Sequence, residues 1–296
     1  MRQSIPASHS ADLVPAHAVP VVALQRRSAV AAALARPSGR TGLGLLLVTL
    51  VLAVVAPAFV RTDPFALSGS PLAPPTHAHP LGTDALGRDL LSGVVHAAGA
   101  SLLIATAVVL VAVACGASIG LLAGYRGGWI DDALSRATEL FQVMPRLFVV
   151  AIVVALFGPG VDRVVLTLGL TSWPILARVV RNEVLATRQI EFVVAAEALG
   201  ASPAYVAWRV LLPNVLPSVA VMVGLLFGQV LLTEASLGFL GLGDPNTLSW
   251  GLLVGESQGF LRTAWWLAVF PGLAITVAIL AFNLLADALS AALGGR

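Results

Sequence analysis

The sequence predicts an all-α integral membrane protein with six transmembrane helices. Three observations carry this reading. The chain of 296 residues is 58% hydrophobic and only 11% charged, where soluble domains average about 25% charged. Its mean hydropathy is +0.92. Four uncharged runs, residues 41–60, 101–124, 210–233 and 263–286, each meet the length of about 20 apolar residues that a bilayer core demands. Two weaker runs supply the remaining crossings: 140–158, interrupted by Arg146, and 161–180, with Asp162, Arg163 and Arg178 near its ends. Gly158-Pro159-Gly160 forms a tight turn between them.

Residues 1–40 carry Arg2, Arg26, Arg27, Arg36 and Arg40 among several prolines, with no run long enough to cross a membrane. They read as a basic, disordered cytoplasmic arm, helical at most near residues 22–34. A cleaved leader is not expected, because the apolar run after Arg40 is of about spanning length and lacks a clear A-x-A exit. Residues 41–100 then hold the first transmembrane helix and an outer loop, and residues 101–290 hold five further helices. With the arm inside, inner segments carry Arg126, Arg136, Arg178, Arg181, Arg188, Arg209 and Arg296 besides the arm's own arginines, whereas outer segments carry only Arg61, Arg88, Arg163 and Arg262. The excess of inner arginine places both termini in the cytoplasm. Gly116, Gly120 and Gly124, like Gly224 and Gly228, recur every four residues, a pattern for close helix approach within the chain or between subunits.

Several chemistries are excluded. All seventeen basic residues are arginine, so no phosphate-loop lysine exists here and any ATP hydrolysis must belong to another chain. Ser118 lies in a G-x-S-x-G pattern, but His9, His17, His77, His79 and His96 all precede this helix and none is placed to act as its base. No catalytic, cofactor or metal residue is therefore expected. His77 and His79 lack the further ligands that a metal site needs. The lone Cys115 reads as a packing residue. No basic patch interleaved with aromatics suggests nucleic acid.

The informative segment is AAEALGASPAYVAWRVLLPN, residues 195–214. Residues 191–199 favour a helix through Ala195, Ala196 and Ala198. Gly200 is placed just past its end, where a positive φ suits glycine. Ser202 then caps a second helix with Pro203 at its first position. That helix runs through Tyr205, Trp208 and Arg209 towards Leu212, and Pro213 marks the entry to the next crossing.

This segment resembles the E-A-A-x3-G-x9-I-x-L-P loop of ABC importer permeases: Ala195-Ala196, Gly200, Val210 and Leu212-Pro213 fall at that spacing. Val194 stands where the leading Glu is usual, with Glu191 or Glu197 as its substitute. Residues 79–101 resemble the H-P-x-G-T-D-x-x-G-R-D signature of the dipeptide, oligopeptide and nickel subfamily, without the Arg that usually precedes Ser101. Residues 234–243, EASLGFLGLG, resemble its E-x-x-L-S-F-L-G-L-G segment, with Gly238 in place of Ser. The layout is similar to the second, C-type membrane subunit of dipeptide importers.

The resemblance implies a type I ABC importer permease fold with a cytoplasmic coupling helix. A loop at about 188–213, with Ala195, Ala196, Glu197, Gly200, Ala201, Ser202, Arg209, Leu212 and Pro213, would dock one or two ATPase subunits, which hold ATP and Mg. A second permease would complete the pathway, and an extracytoplasmic binding protein would deliver dipeptides or short oligopeptides. Nickel, heme or another small solute is the alternative cargo, and a stand-alone secondary transporter the rival machine. The setting is the bacterial inner (plasma) membrane. Glu234, Gln229, Asp84, Arg88 and Asp89 are candidate pathway or outer-loop residues.

Overall fold

The structure is a computed structural model that describes residues 29–60 and 62–294. Among the described residues the chain is helical, with no strand beyond two isolated bridges, Leu67 to Arg88 and Thr83 to Asp89. The helices are α1 (Ala29–Leu34), α2 (Pro37–Phe59), α3 (Leu90–Arg126), α4 (Gly128–Val143), α5 (Arg146–Phe157), α6 (Val161–Arg188), α7 (Glu191–Ala198), α8 (Pro203–Phe239), α9 (Trp250–Glu256) and α10 (Trp266–Gly294).

Helices α2, α3, α6, α8 and α10 are each long and apolar enough to cross a membrane. The remaining crossing differs from the single helix expected over 140–158. The chain bends by 76° between α4 and α5. Pro145 causes the break. It disfavours helical geometry at Met144, which is extended (ψ 123°). Helix α5 has twelve residues, about 18 Å, short of the roughly 30 Å core. Counted together as one crossing, the bent pair brings the total to six. Arg36 Nη2 donates to Ala291 O at 2.9 Å, so the start of α2 and the end of α10 lie together on one side.

The basic arm is helical from Ala29 and joins α2 at Pro37, with Arg36 extended at the N-cap. The arm was expected to be helical at most near residues 22–34, where α1 falls, whereas α2 begins at Pro37, ahead of the expected residue 41. Packing against the last helix orders this part: a Cβ on Gly42 would lie 2.9 Å from Leu284 Cβ. The rest of the expected arm lies outside the described residues. Helix α3 starts eleven residues before the expected position 101, because Asp89 accepts Ser92 N at 2.9 Å and caps it. Helix α8 also starts early, at Pro203, and runs unbroken through a π-helical stretch, Val206–Leu211, ahead of Pro213. Proline cannot donate to the ladder, and the wider turn absorbs the lost hydrogen bond. The second helix of the loop is therefore the first turns of α8.

The core lies between α3 and α6. Gly116, Gly120 and Gly124 face α6 so closely that a Cβ would stand 2.8, 2.5 and 2.9 Å from the carbonyls of Trp173, Ala177 and Arg181. The glycine stripe thus packs within the chain. Gly224 and Gly228 likewise face α10, where Phe227 and Phe282 stack at 3.5 Å. Helix α9 is pinned to α3 by Trp250, fully buried, whose indole donates to Val94 O at 2.9 Å and whose amide donates to Ser101 Oγ at 2.8 Å.

Candidate functional site

The loop after α6 has the local geometry the sequence dictates. Gly200 has φ +84°. Its amide donates to Glu197 O at 2.9 Å, and Ala201 N donates to Ala196 O at 3.1 Å. These paired bonds satisfy carbonyls that the helix end would leave open. Ser202 Oγ accepts Tyr205 N at 3.2 Å, with Pro203 at the first helical position. Val193 and Val206 point inward and are fully buried. Leu199 is 89% exposed, and Ile190, Phe192 and Val194 are exposed beside it. An apolar rim of this kind on a capped turn is a feature of contact surfaces. Glu197, Ala195, Arg209 and Pro213 are also exposed, and Leu212 is half-buried.

The loop is fastened to the end of α3. The Tyr125 hydroxyl donates to Glu197 Oε1 at 3.3 Å. Arg188 Nη1 donates to Tyr125 O at 2.9 Å, and its guanidinium lies 5.9 Å from the ring centroid. Tyr125 and Arg188 are not legible as partners in the sequence, since 63 positions separate them. A second unforeseen link joins α4 to α6: Arg181 Nη2 donates to Asp131 Oδ2 at 2.6 Å, and Nε donates to Oδ1. Phe141 packs on Trp173 further along the same two helices, at 5.4 Å.

In the loop between α2 and α3, the acidic and basic residues bond within their own loop. Asp84 Oδ1 accepts Leu86 N and Arg88 N, both at 2.8 Å, and Arg88 Nε lies 3.9 Å from Asp84 Oδ2. Asp89 caps α3 and meets His79 Nδ1 at 3.0 Å. Thr83 Oγ1 donates to Ser70 O at 2.7 Å. Among the described residues, no three His, Cys, Asp or Glu gather as metal ligands.

Glu234 is buried, and its Oε1 accepts Ser249 Oγ at 2.5 Å. Its carboxylate lies over Gly251, where a Cβ would come 2.5 Å from Oε2. A Cβ on Gly238 would come 2.2 Å from Gly251 O, so the space that serine would need is filled. Residues 234–243 thus build the crossing of α8 with α9. Gln229 is exposed on α8 and is not brought to Glu234.

Residues 116–296 match the family described as binding-protein-dependent transport system inner membrane component. The chain belongs to this family. It is a multi-pass inner-membrane permease subunit of an ABC importer. The permease is 34% identical to the dipeptide transport system permease protein DppC of Alkalihalophilus pseudofirmus, over 84% of each chain. It is 36% identical to a putative peptide transport system permease protein of Brucella suis, over 94% of this chain and 92% of the relative. It is 37% identical to the glutathione transport system permease protein GsiD of Pectobacterium atrosepticum, over 74% and 73%.

Proposed function

We propose that this permease imports dipeptides or short oligopeptides, with the loop around Gly200 as the point where ATPase subunits engage it. The observation that carries this reading is the capped turn at Gly200 with its exposed apolar rim, fastened through Glu197 to α3. An ATPase that pulls on α7 moves α8 directly, because α8 begins two residues after Ala201. It moves α3 through Tyr125. ATP and Mg belong to those partners, as this chain has no lysine for a phosphate loop.

A second permease completes the pathway, and a binding protein delivers solute to the outer face. The arginine distribution supports cytoplasmic termini, and the contact of Arg36 with Ala291 agrees with both on one side. The peptide reading draws on the relatives named for dipeptide and peptide transport. The relative named for glutathione favours a second cargo of related chemistry, a modified short peptide.

The test is to purify the tagged chain in mild detergent, identify its companions and reconstitute them. Recovery of a second permease and an ATPase, with ATP-dependent peptide uptake, is the expected result. Uptake driven by an ion gradient without ATP contradicts the reading.

A further inference from the structure

A cavity of about 420 Å³ opens between α3, α4 and α6, within the range of about 300–1,000 Å³ found for small-molecule sites. Its floor is Gly120 and Ala123, and its polar walls include Ser135, Glu139, Arg178 and Arg181. The charges in it are not equivalent. Arg181 is occupied by Asp131 and by Asn182 Oδ1 at 3.4 Å. Arg178 and Glu139 have no side-chain partner among the described residues, and their charged groups do not reach each other. Arg178 lies ten residues before the end of α6, about 15 Å along the helix. The arginine distribution places it towards the cytoplasmic end of that crossing, and its side chain is exposed.

The lining therefore includes an unpaired guanidinium on α6 and an unpaired carboxylate on α4, both exposed. We infer that this cavity is a transit site for zwitterionic short peptides, in which Arg178 takes the terminal carboxylate and Glu139 the terminal ammonium. The planar guanidinium fork matches a carboxylate, and both contacts are charge-assisted. A zwitterion satisfies both side chains at once, whereas an anionic lipid headgroup such as phosphatidylglycerol would satisfy Arg178 and be repelled by Glu139. The Asp131 pair matters here, because it removes Arg181 from competition and leaves a single cationic position. Two end contacts hold the solute loosely enough for release. The inference rests on the peptide-importer reading and names where this chain would touch the cargo.

The test uses the assembled importer without its binding protein, so that the receptor's own selectivity does not enter. Saturation-transfer NMR would measure binding of dialanine, dialanine amide and N-acetyl-dialanine. Wild type should bind dialanine about tenfold more tightly than either blocked form, as expected for one lost charge-assisted contact. Arg178→Gln should no longer distinguish dialanine from its amide, and Glu139→Gln should no longer distinguish it from the acetylated form. Arg178→Lys should keep part of the discrimination. ATPase activity reports that each variant is assembled. Equal binding of all three probes to wild type, or retained discrimination in both neutral variants, overturns the site. If Arg178→Gln changes only the amount of co-purified phosphatidylglycerol, the cavity holds lipid and the inference falls. Uptake of dialanine by the complete importer alongside such a failure leaves the importer reading standing, and absence of uptake removes both.

Discussion

The Tyr125 hydroxyl and the Glu197 carboxylate meet at 3.3 Å across 72 positions of sequence. This bond joins the exposed helix α7 to the end of α3, and α3 is locked to α6 by the glycine stripe. Motion imposed on the loop therefore has a short mechanical route into the core. Tyr125→Phe keeps the ring under Arg188 and removes only the hydroxyl. Stability should change by less than about 1 kcal/mol, as for an ordinary exposed hydrogen bond. Solute moved per ATP hydrolysed should fall several-fold in proteoliposomes, and an unchanged ratio would show that the route lies elsewhere.

Gly200 has φ +84° and no other atom within 4 Å of where a Cβ would stand. Any effect of substitution there is conformational rather than a clash. Gly200→Val should strain the turn by about 1–3 kcal/mol and abolish most transport, while the chain still inserts. Gly200→Asn should retain much more activity, because asparagine tolerates this backbone region. Parallel uptake and membrane-fraction assays check both outcomes.

The loop's caps were legible because they are local. Gly200, Ser202 and Pro203 act on atoms within five residues of themselves, so their chemistry survives translation into structure unchanged. The Gly116-Gly120-Gly124 stripe was legible as a close-packing surface, while its partner, α6, was not. The crossing over 140–158 was misread as straight because apolar length was weighed and the backbone restriction that Pro145 imposes on Met144 was not. The links from Tyr125 to Glu197 and from Asp131 to Arg181 were invisible, since nothing local distinguishes a charge that finds a distant partner. Asp84, Arg88 and Asp89 were singled out as pathway or outer-loop residues without their bonding partners. They lie in that loop, where Asp84 accepts turn amides and Asp89 caps α3.

Gly120 and Gly44 make a matched pair. A Cβ at Gly120 would lie 2.5 Å from Ala177 O, whereas Gly44 faces open space. Gly120→Ala should force α3 from α6 and destabilise by about 1–3 kcal/mol. Gly44→Ala should be neutral or stabilising by up to about 1 kcal/mol from helix propensity. Thermal unfolding in detergent separates the two.

Asp131 holds Arg181 with two hydrogen bonds. Asp131→Ala should cost about 1–3 kcal/mol, because a part-buried guanidinium loses its acceptors. Adding Arg181→Leu should recover a share of that loss, since the unpaired charge is then gone. The same unfolding assay on the two single variants and the double variant checks this.

The central claim is that an ATPase subunit engages the loop at Gly200. The direct measurement is a crosslink from Leu199→Cys, placed in a Cys115→Ala background, within the assembled importer. Leu199 is 89% exposed at the tip of the turn, so the substitution leaves the caps intact. The account predicts a crosslink to the ATPase whose yield changes between nucleotide-free and ATP-bound states. A complex that hydrolyses ATP and transports, yet crosslinks Leu199→Cys to no ATPase in either state, would contradict it.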